Sequence, residues 1–195
     1  MIEQLERREL LTINVSGNIT SNQDWSDTSQ IYLVVGTLTV NAGVTLRIMP
    51  GVTVQTNYYE YDILINGTLD ATGVTFNGSQ TDIDVRSGGR LNLKSNSSVA
   101  GAEVSYVDGS QGMITDSHFT TAELRLETTV VVVDRNTFSG ATPVLANPSV
   151  IPFLYDNEFT NPATIRVYGT TTARCVLPAR WICRRIAGAS WIATV

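Results

Sequence analysis

YDILINGTLDATGVTFNG, residues 61–78, and DIDVRSGGRLNLKSNSSVAG, residues 82–101, repeat one order: strand, small-residue corner, strand, corner, strand. Each closes on a short phrase, VTFNG at 74–78 and SSVAG at 97–101. Three more copies follow: SHFTT at 117–121, NTFSG at 136–140 and NEFTN at 157–161. Their apolar members are Phe76, Val99, Phe119, Phe138 and Phe159, spaced by 23, 20, 19 and 21 residues. A period near twenty, built of β-type residues, marks a coil that stacks on copies of itself. The spacing predicts one inward ladder made of these five side chains.

Upstream, IYLVVGTLTV, VTLRIMPG and VTVQT read as three short strands between Ile31 and Thr56. Leu33 and Val35, Leu38 and Val40, then Val44, Leu46 and Ile48, then Val52 and Val54 recur at period two. Gly36, Asn41-Ala42-Gly43 and Pro50-Gly51 interrupt them with turn chemistry. The triplets GTL (36–38), GTL (67–69) and GRL (89–91) are expected at equivalent corners. Turns this short leave no room for crossover helices. Runs such as VVVV (130–133) and ILI (63–65) suit strands covered above and below. Hydrogen bonds then run between coils and the sheets are parallel. The expected fold is an all-β parallel solenoid of about seven coils over residues 31–172, about 4.8 Å per coil. An ordinary β-sandwich is the competing architecture, but Asn-Gly hairpin signals are rare. Residues 12–30 are expected to cap the open end, with Trp25 as the capping side chain. Sugar stacking is the functional reading of the same tryptophan.

Composition narrows the function classes. Charged residues are 16% of the chain, Lys94 is its one lysine and the formal net charge is −5. A basic groove for nucleic acid is not expected. No run approaches a transmembrane length, and no apolar segment of the signal-peptide kind follows the charged start. MIEQLERRELL, residues 1–11, is a charged lead, too short to be a stable helix alone. The charge is uneven: all 18 acidic residues lie at or before Glu158, and Arg174, Arg180, Arg184 and Arg185 follow Thr172. Residues 173–195 also hold Cys175, Cys183, Trp181 and Trp191, and lack both alternation and coil spacing. A shifted reading frame or fragment end, a native cap and a basic membrane-contacting segment each fit this atypical tail.

Two stretches resemble known families. Trp25, Gly36, Leu38, Val40, Gly43, Thr45, Leu46, Ile48, Pro50, Gly51 and Val52 resemble the first coils of right-handed parallel β-helix proteins of bacterial surfaces. The resemblance implies a right-handed coil and says almost nothing about activity. LERRELL at 5–11 is similar to the LEPR-XLL segment near the N-termini of large extracellular planctomycete proteins. Leu5, Glu6, Arg8, Leu10 and Leu11 match, and Arg7 stands where that segment has proline. This resemblance implies an extracellular or cell-surface protein whose export region extends further upstream.

Several groupings could carry chemistry. With Ile83 and Val85 inward, Asp82, Asp84 and Arg86 face outward along one strand. β-Helix polysaccharide lyases use such a face, with carboxylates holding Ca²⁺ on a uronate and a basic residue taking the proton; paired carboxylates also serve glycoside hydrolysis. The bland reading is a solvated, charge-compensated strand. Gly-His-Gly, Asn-Thr-Asp and Asp-His signatures are absent. Glu123, Arg125 and Glu127 form a second outward row, able to pair across coils with Arg86 or Glu103. His118 is the lone histidine, beside Phe119 and directed outward, a poor metal ligand by itself. Ser117 and Asp116, as its immediate neighbours, cannot complete a triad with it. Tyr58, Tyr59 and Tyr61, with Glu60 and Asp62, make an aromatic loop suited to carbohydrate or protein contact. No metal site is expected, and no cofactor beyond Ca²⁺ in the lyase reading. The expected function is a non-enzymatic extracellular or cell-surface module, structural or adhesive, with polysaccharide or other surface proteins as partners. The alternative is a lyase or hydrolase of an acidic polysaccharide, using Asp82, Asp84 and Arg86.

Overall fold

The computed structural model describes residues 11–56, 61–78, 82–128, 130–140, 143–146, 153–160, 164–168, 182–186 and 190–194. These residues form strands and turns, with no helix among them. The first coil is β1 (Leu11–Ile19) and β2 (Gln23–Trp25), and the second is β3 (Gln30–Val40) and β4 (Thr45–Ile48). The third is β5 (Thr53–Thr56), β6 (Ile63–Ile65) and β7 (Thr68–Thr72). The fourth is β8 (Thr75–Gly78), β9 (Asp82–Val85) and β10 (Arg90–Lys94). Next come β11 (Ser98–Ala100), β12 (Glu103–Tyr106) and β13 (Gln111–Thr115), then β14 (His118–Thr120), β15 (Glu123–Leu126) and β16 (Val131–Asp134). Then follow β17 (Thr137–Ser139), β18 (Pro143–Ala146) and β19 (Phe153–Tyr155). The chain closes with β20 (Glu158–Phe159), β21 (Thr164–Tyr168), β22 (Ile182–Ile186) and β23 (Ser190–Thr194).

These strands stack into three faces. Face one is a seven-stranded parallel sheet of β2, β4, β7, β10, β13, β16 and β19. The other faces merge into one 16-stranded sheet, because β1 and β3 run through the corner between them. Face two continues through β5, β8, β11, β14, β17 and β20; face three through β6, β9, β12, β15, β18 and β21. The protein is therefore a parallel β-solenoid. Seven strands on face one make six coil-to-coil steps, so the stack has about six turns, slightly fewer than the seven expected from sequence. Residues 11–25 continue the ladders, β1 pairing parallel with β3 and β2 with β4. At the far end the polarity reverses: β23 adds antiparallel to β21, and β22 antiparallel to β23.

Each face buries alternate side chains against the others. On face two Phe76, Val99, Phe119, Phe138 and Phe159 occupy successive registered positions, all buried. The ladder continues upstream through Val54 and Tyr32 to Ile13. Phe119 stacks on Phe138 at 5.1 Å, and Phe138 on Phe159 at 4.7 Å, offset contacts each worth about 0.5–1.5 kcal/mol beyond burial. Face three carries Leu38, Ile63, Ile83, Val104 and Leu124 in one inward column, with Val40, Ile65, Val85, Tyr106 and Leu126 in the next. Burial holds the Tyr106 phenol proton firmly, and its hydroxyl donates to the Leu91 carbonyl at 3.0 Å.

Two sequence expectations need correction. In β3 the inward residues are Tyr32 and Val34, while Val35 is exposed and Leu33 is half-buried on the outer side. The phase is set by Tyr32, which enters the phenylalanine ladder and stacks on Trp25. The three Gly-x-Leu triplets are also not equivalent. Leu69 and Leu91 pair on face one, whereas Leu38 pairs with Ile63 on face three. The true face-one partner of Leu69 in the coil before is Leu46.

The corner between faces one and two recurs most regularly. From β4 onward every coil places a residue in the left-handed region there: Gly51, Gly73, the pair Ser95 and Asn96, Asp116, Arg135 and Asp156. Asn and Asp tolerate this conformation better than most residues. The next residue turns inward, and in the later coils it is polar. Ser117 N–H donates to Asn136 Oδ1, and Asn136 N–H donates to Asn157 Oδ1, each at 2.9 Å. The amide nitrogens of Asn136 and Asn157 donate to the carbonyls of Ile114 and Val133, each at 2.8 Å. This ladder satisfies backbone groups that the bend withdraws from the sheets.

Asn136→Ala strands the Ser117 N–H and the Ile114 carbonyl in the core, and should cost about 2–3 kcal/mol in chemical unfolding. Gly89→Ala places a Cβ 2.0 Å from the Ile65 carbonyl oxygen. It should cost about 2 kcal/mol or more, because the obstacle is backbone. Thr121 stands left-handed, with φ 51°, at a corner where neighbouring coils have Gly101 and Gly140. Thr121→Gly should raise stability by about 0.5–1 kcal/mol in the same assay, since relief of left-handed strain exceeds the glycine entropy cost.

Candidate functional site

The densest group of titratable side chains lies on the outside of face three. Alternation in β9 turns Asp82 and Asp84 outward, and β12 and β15 do the same for Glu103 and for Glu123 and Arg125. Coil-to-coil pairing then sets Asp82 beside Glu103 and Glu103 beside Glu123. A second column runs Leu64, Asp84, Ser105 and Arg125. Like charges directly opposite one another across strands are unfavourable. Arg125 offsets this, its Nε and Nη2 lying 3.1 Å from Glu103 and Glu123 respectively. Arg86 Nη2 lies 2.6 Å from Asp84 Oδ2.

Asp82 makes no ion pair among the described residues. Partial burial raises its carboxyl above the ordinary range, helped by the charges of Asp62 and Asp84 and opposed by Arg125. Glu103 is raised for the same first reason, with Arg125 again opposing. The expected trio thus divides. Asp84 and Arg86 close on each other, while Asp82 joins an acidic column with Glu103. The row Glu123, Arg125 and Glu127 belongs to the same surface.

The other candidates are dispersed. Trp25 is 6% exposed and stacks on Tyr32 at 4.5 Å and 8°. Its ring faces the core of the first coils, not a sugar in solvent. Tyr61 is half-buried against the core; Tyr58 and Tyr59 lie outside the described residues. His118 is exposed on face two, between Ser98 and Thr137. Ser117 is buried and its hydroxyl donates to the Thr115 carbonyl. Asp116 receives Nε and Nη2 of Arg135, each at 2.8 Å, and this pairing holds its carboxyl below the ordinary range. Among the described residues no three His, Cys, Asp or Glu side chains converge on one point. No helix among them is long and apolar enough to cross a membrane.

Sequence reasoning did not anticipate the Asp116–Arg135 pair or the polar corner ladder. The available signal was the residue two places before each ladder phenylalanine, Ser117, Asn136 or Asn157. It also missed the composition of face two. There Thr53, Thr75, Ser98 and His118 form one outward column, and Gln55, Asn77, Ala100 and Thr120 another. Comparison with protein-family models, curated proteins and solved structures finds no match for this chain.

The acidic column has a pH signature. Raised folded values mean that Asp82 and Glu103 bind protons more readily when folded. Their contribution to stability is full below the unfolded carboxylate range, about pH 4, and is lost as pH rises through the higher folded values. Asp82→Asn with Glu103→Gln should gain on the parent as pH rises to neutrality and lose that advantage in acid. The gap should stay under about 1 kcal/mol, since such partly exposed groups are solvent-screened. Unfolding midpoints across pH for the two proteins measure it.

Proposed function

We propose that this chain is a non-catalytic β-solenoid module of an extracellular or cell-surface protein, with a structural or adhesive role. The observation that carries the reading is the mutual engagement of the outer charges. Arg86 is held by Asp84 and Arg125 by two glutamates. A lyase needs its base released towards substrate, with acid, base and substrate donors sharing one cleft. The resemblance of residues 31–54 to surface β-helices, and of LERRELL to an export-linked segment, supports the location.

Glycan is the ligand class for the adhesive role. Face two supports it through registered hydroxyls and amides that carry almost no charge; Thr120 and Ser139 already share a 3.1 Å hydrogen bond across coils. Such a surface matches sugar hydroxyls in both donor and acceptor character. The enzymatic alternative draws support from one feature, the raised carboxyl of Asp82.

The test incubates the full chain with acidic and neutral polysaccharides, with and without Ca²⁺, following chain length and retention together. Retention without shortening is expected, unchanged in Asp82→Ala and Asp84→Ala. Cleavage that disappears in those variants overturns the proposal in favour of the lyase or hydrolase.

A further inference from the structure

Among the described residues β1 pairs with β3 alone. Its other edge, nine residues long, pairs with no described strand. Edge strands are ordinarily kept short, or blunted with charge or proline. Here LTINVSGNITSNQ, residues 11–23, contains neither a charged residue nor proline. Its face-two half, Leu11–Val15, is in unbroken register with Gln30–Val34, and the shift comes only at the corner, between Val15 and Gly17. The inward side is equally incomplete. Ile13 and Val15 are half-buried, whereas Tyr32 and Val34 in the next coil are buried, and Leu11 is 64% exposed.

We propose that a second copy of this chain completes the edge, the two β1 strands pairing antiparallel about a twofold axis at Ile13. Leu11 then meets Val15 of the second copy, and Thr12 meets its Asn14. Alternation keeps the apolar residues inward and covers the exposed leucine. Two features of the molecule favour a second copy over an unrelated strand. A twofold axis sets the same few residues against one another, so like charges would meet; this edge has none. The chain also accepts this geometry at its other end, where β23 adds antiparallel to the parallel stack at β21.

Sedimentation of the full chain at rising concentration reads the association. The mass should move from 21.2 kDa towards twice that value. Thr12 and Asn14 are exposed, so charges there should leave the unfolding midpoint near that of the parent. Thr12→Lys with Asn14→Lys should remain at the single-chain mass, as should Thr12→Glu with Asn14→Glu. An equal mixture of these two variants should recover the doubled mass, because opposite charges then face each other across the axis. A parent that stays single at every concentration overturns the proposal; its edge is then covered by its own residues 1–10 or left open. Doubling that persists in either like-charge variant overturns it as well, since another surface is then responsible.

Discussion

Nearly every backbone hydrogen bond that leaves a strand here goes to the coil above or below. The rest of the structure depends on that constraint. Adjacent coils must keep the same path, so an inward position rests on another inward position. The phenylalanine ladder, the two aliphatic columns of face three and the asparagine corner follow from it. A residue in this fold is judged against its neighbours one coil away more than against its neighbours in sequence. Glycine at position 89 is needed because the Ile65 carbonyl of the preceding coil occupies the place of its Cβ.

The same constraint shapes the outer surface. Translation by one coil brings Asp82, Glu103 and Glu123 into one column whether or not their charges agree. A compact protein could rotate such groups apart. A solenoid keeps them adjacent and must compensate locally, as Arg125 does between two glutamates. Asp116 and Arg135 apply the same remedy at the corner between faces one and two.

The period of Phe76, Val99, Phe119, Phe138 and Phe159 made the coil legible, because one apolar residue between two small or polar ones is phased unambiguously. Residues 31–35 were not legible in that way. Ile31, Tyr32, Leu33, Val34 and Val35 are all apolar, and only the stack of Tyr32 on Trp25 selects a side. The Gly-x-Leu triplets misled because glycine serves two purposes. Gly67 and Gly89 admit a neighbouring carbonyl, while Gly36 lies within a strand that passes a different corner. The outward direction of Asp82, Asp84 and Arg86 could be read from alternation. Arg86–Asp84 and Arg125–Glu123 lie two residues apart in the chain, whereas the reach of Arg125 to Glu103, one of two cross-coil partners the sequence offered, depends on the register between coils.

The direction of the hydrogen bonds has a mechanical meaning. They lie along the axis of the stack, with β1 at one end and β23 near the other. A pull on both ends loads the outermost coil first, as a zipper is loaded at its slider. Each freed coil of roughly twenty residues would lengthen the chain by about 65–70 Å, while the coils beneath keep their ladders. At one end the first locks are the antiparallel pairings of β23 with β22 and β21. The molecule would yield in steps, as a shock absorber whose increments are set by its own sequence period.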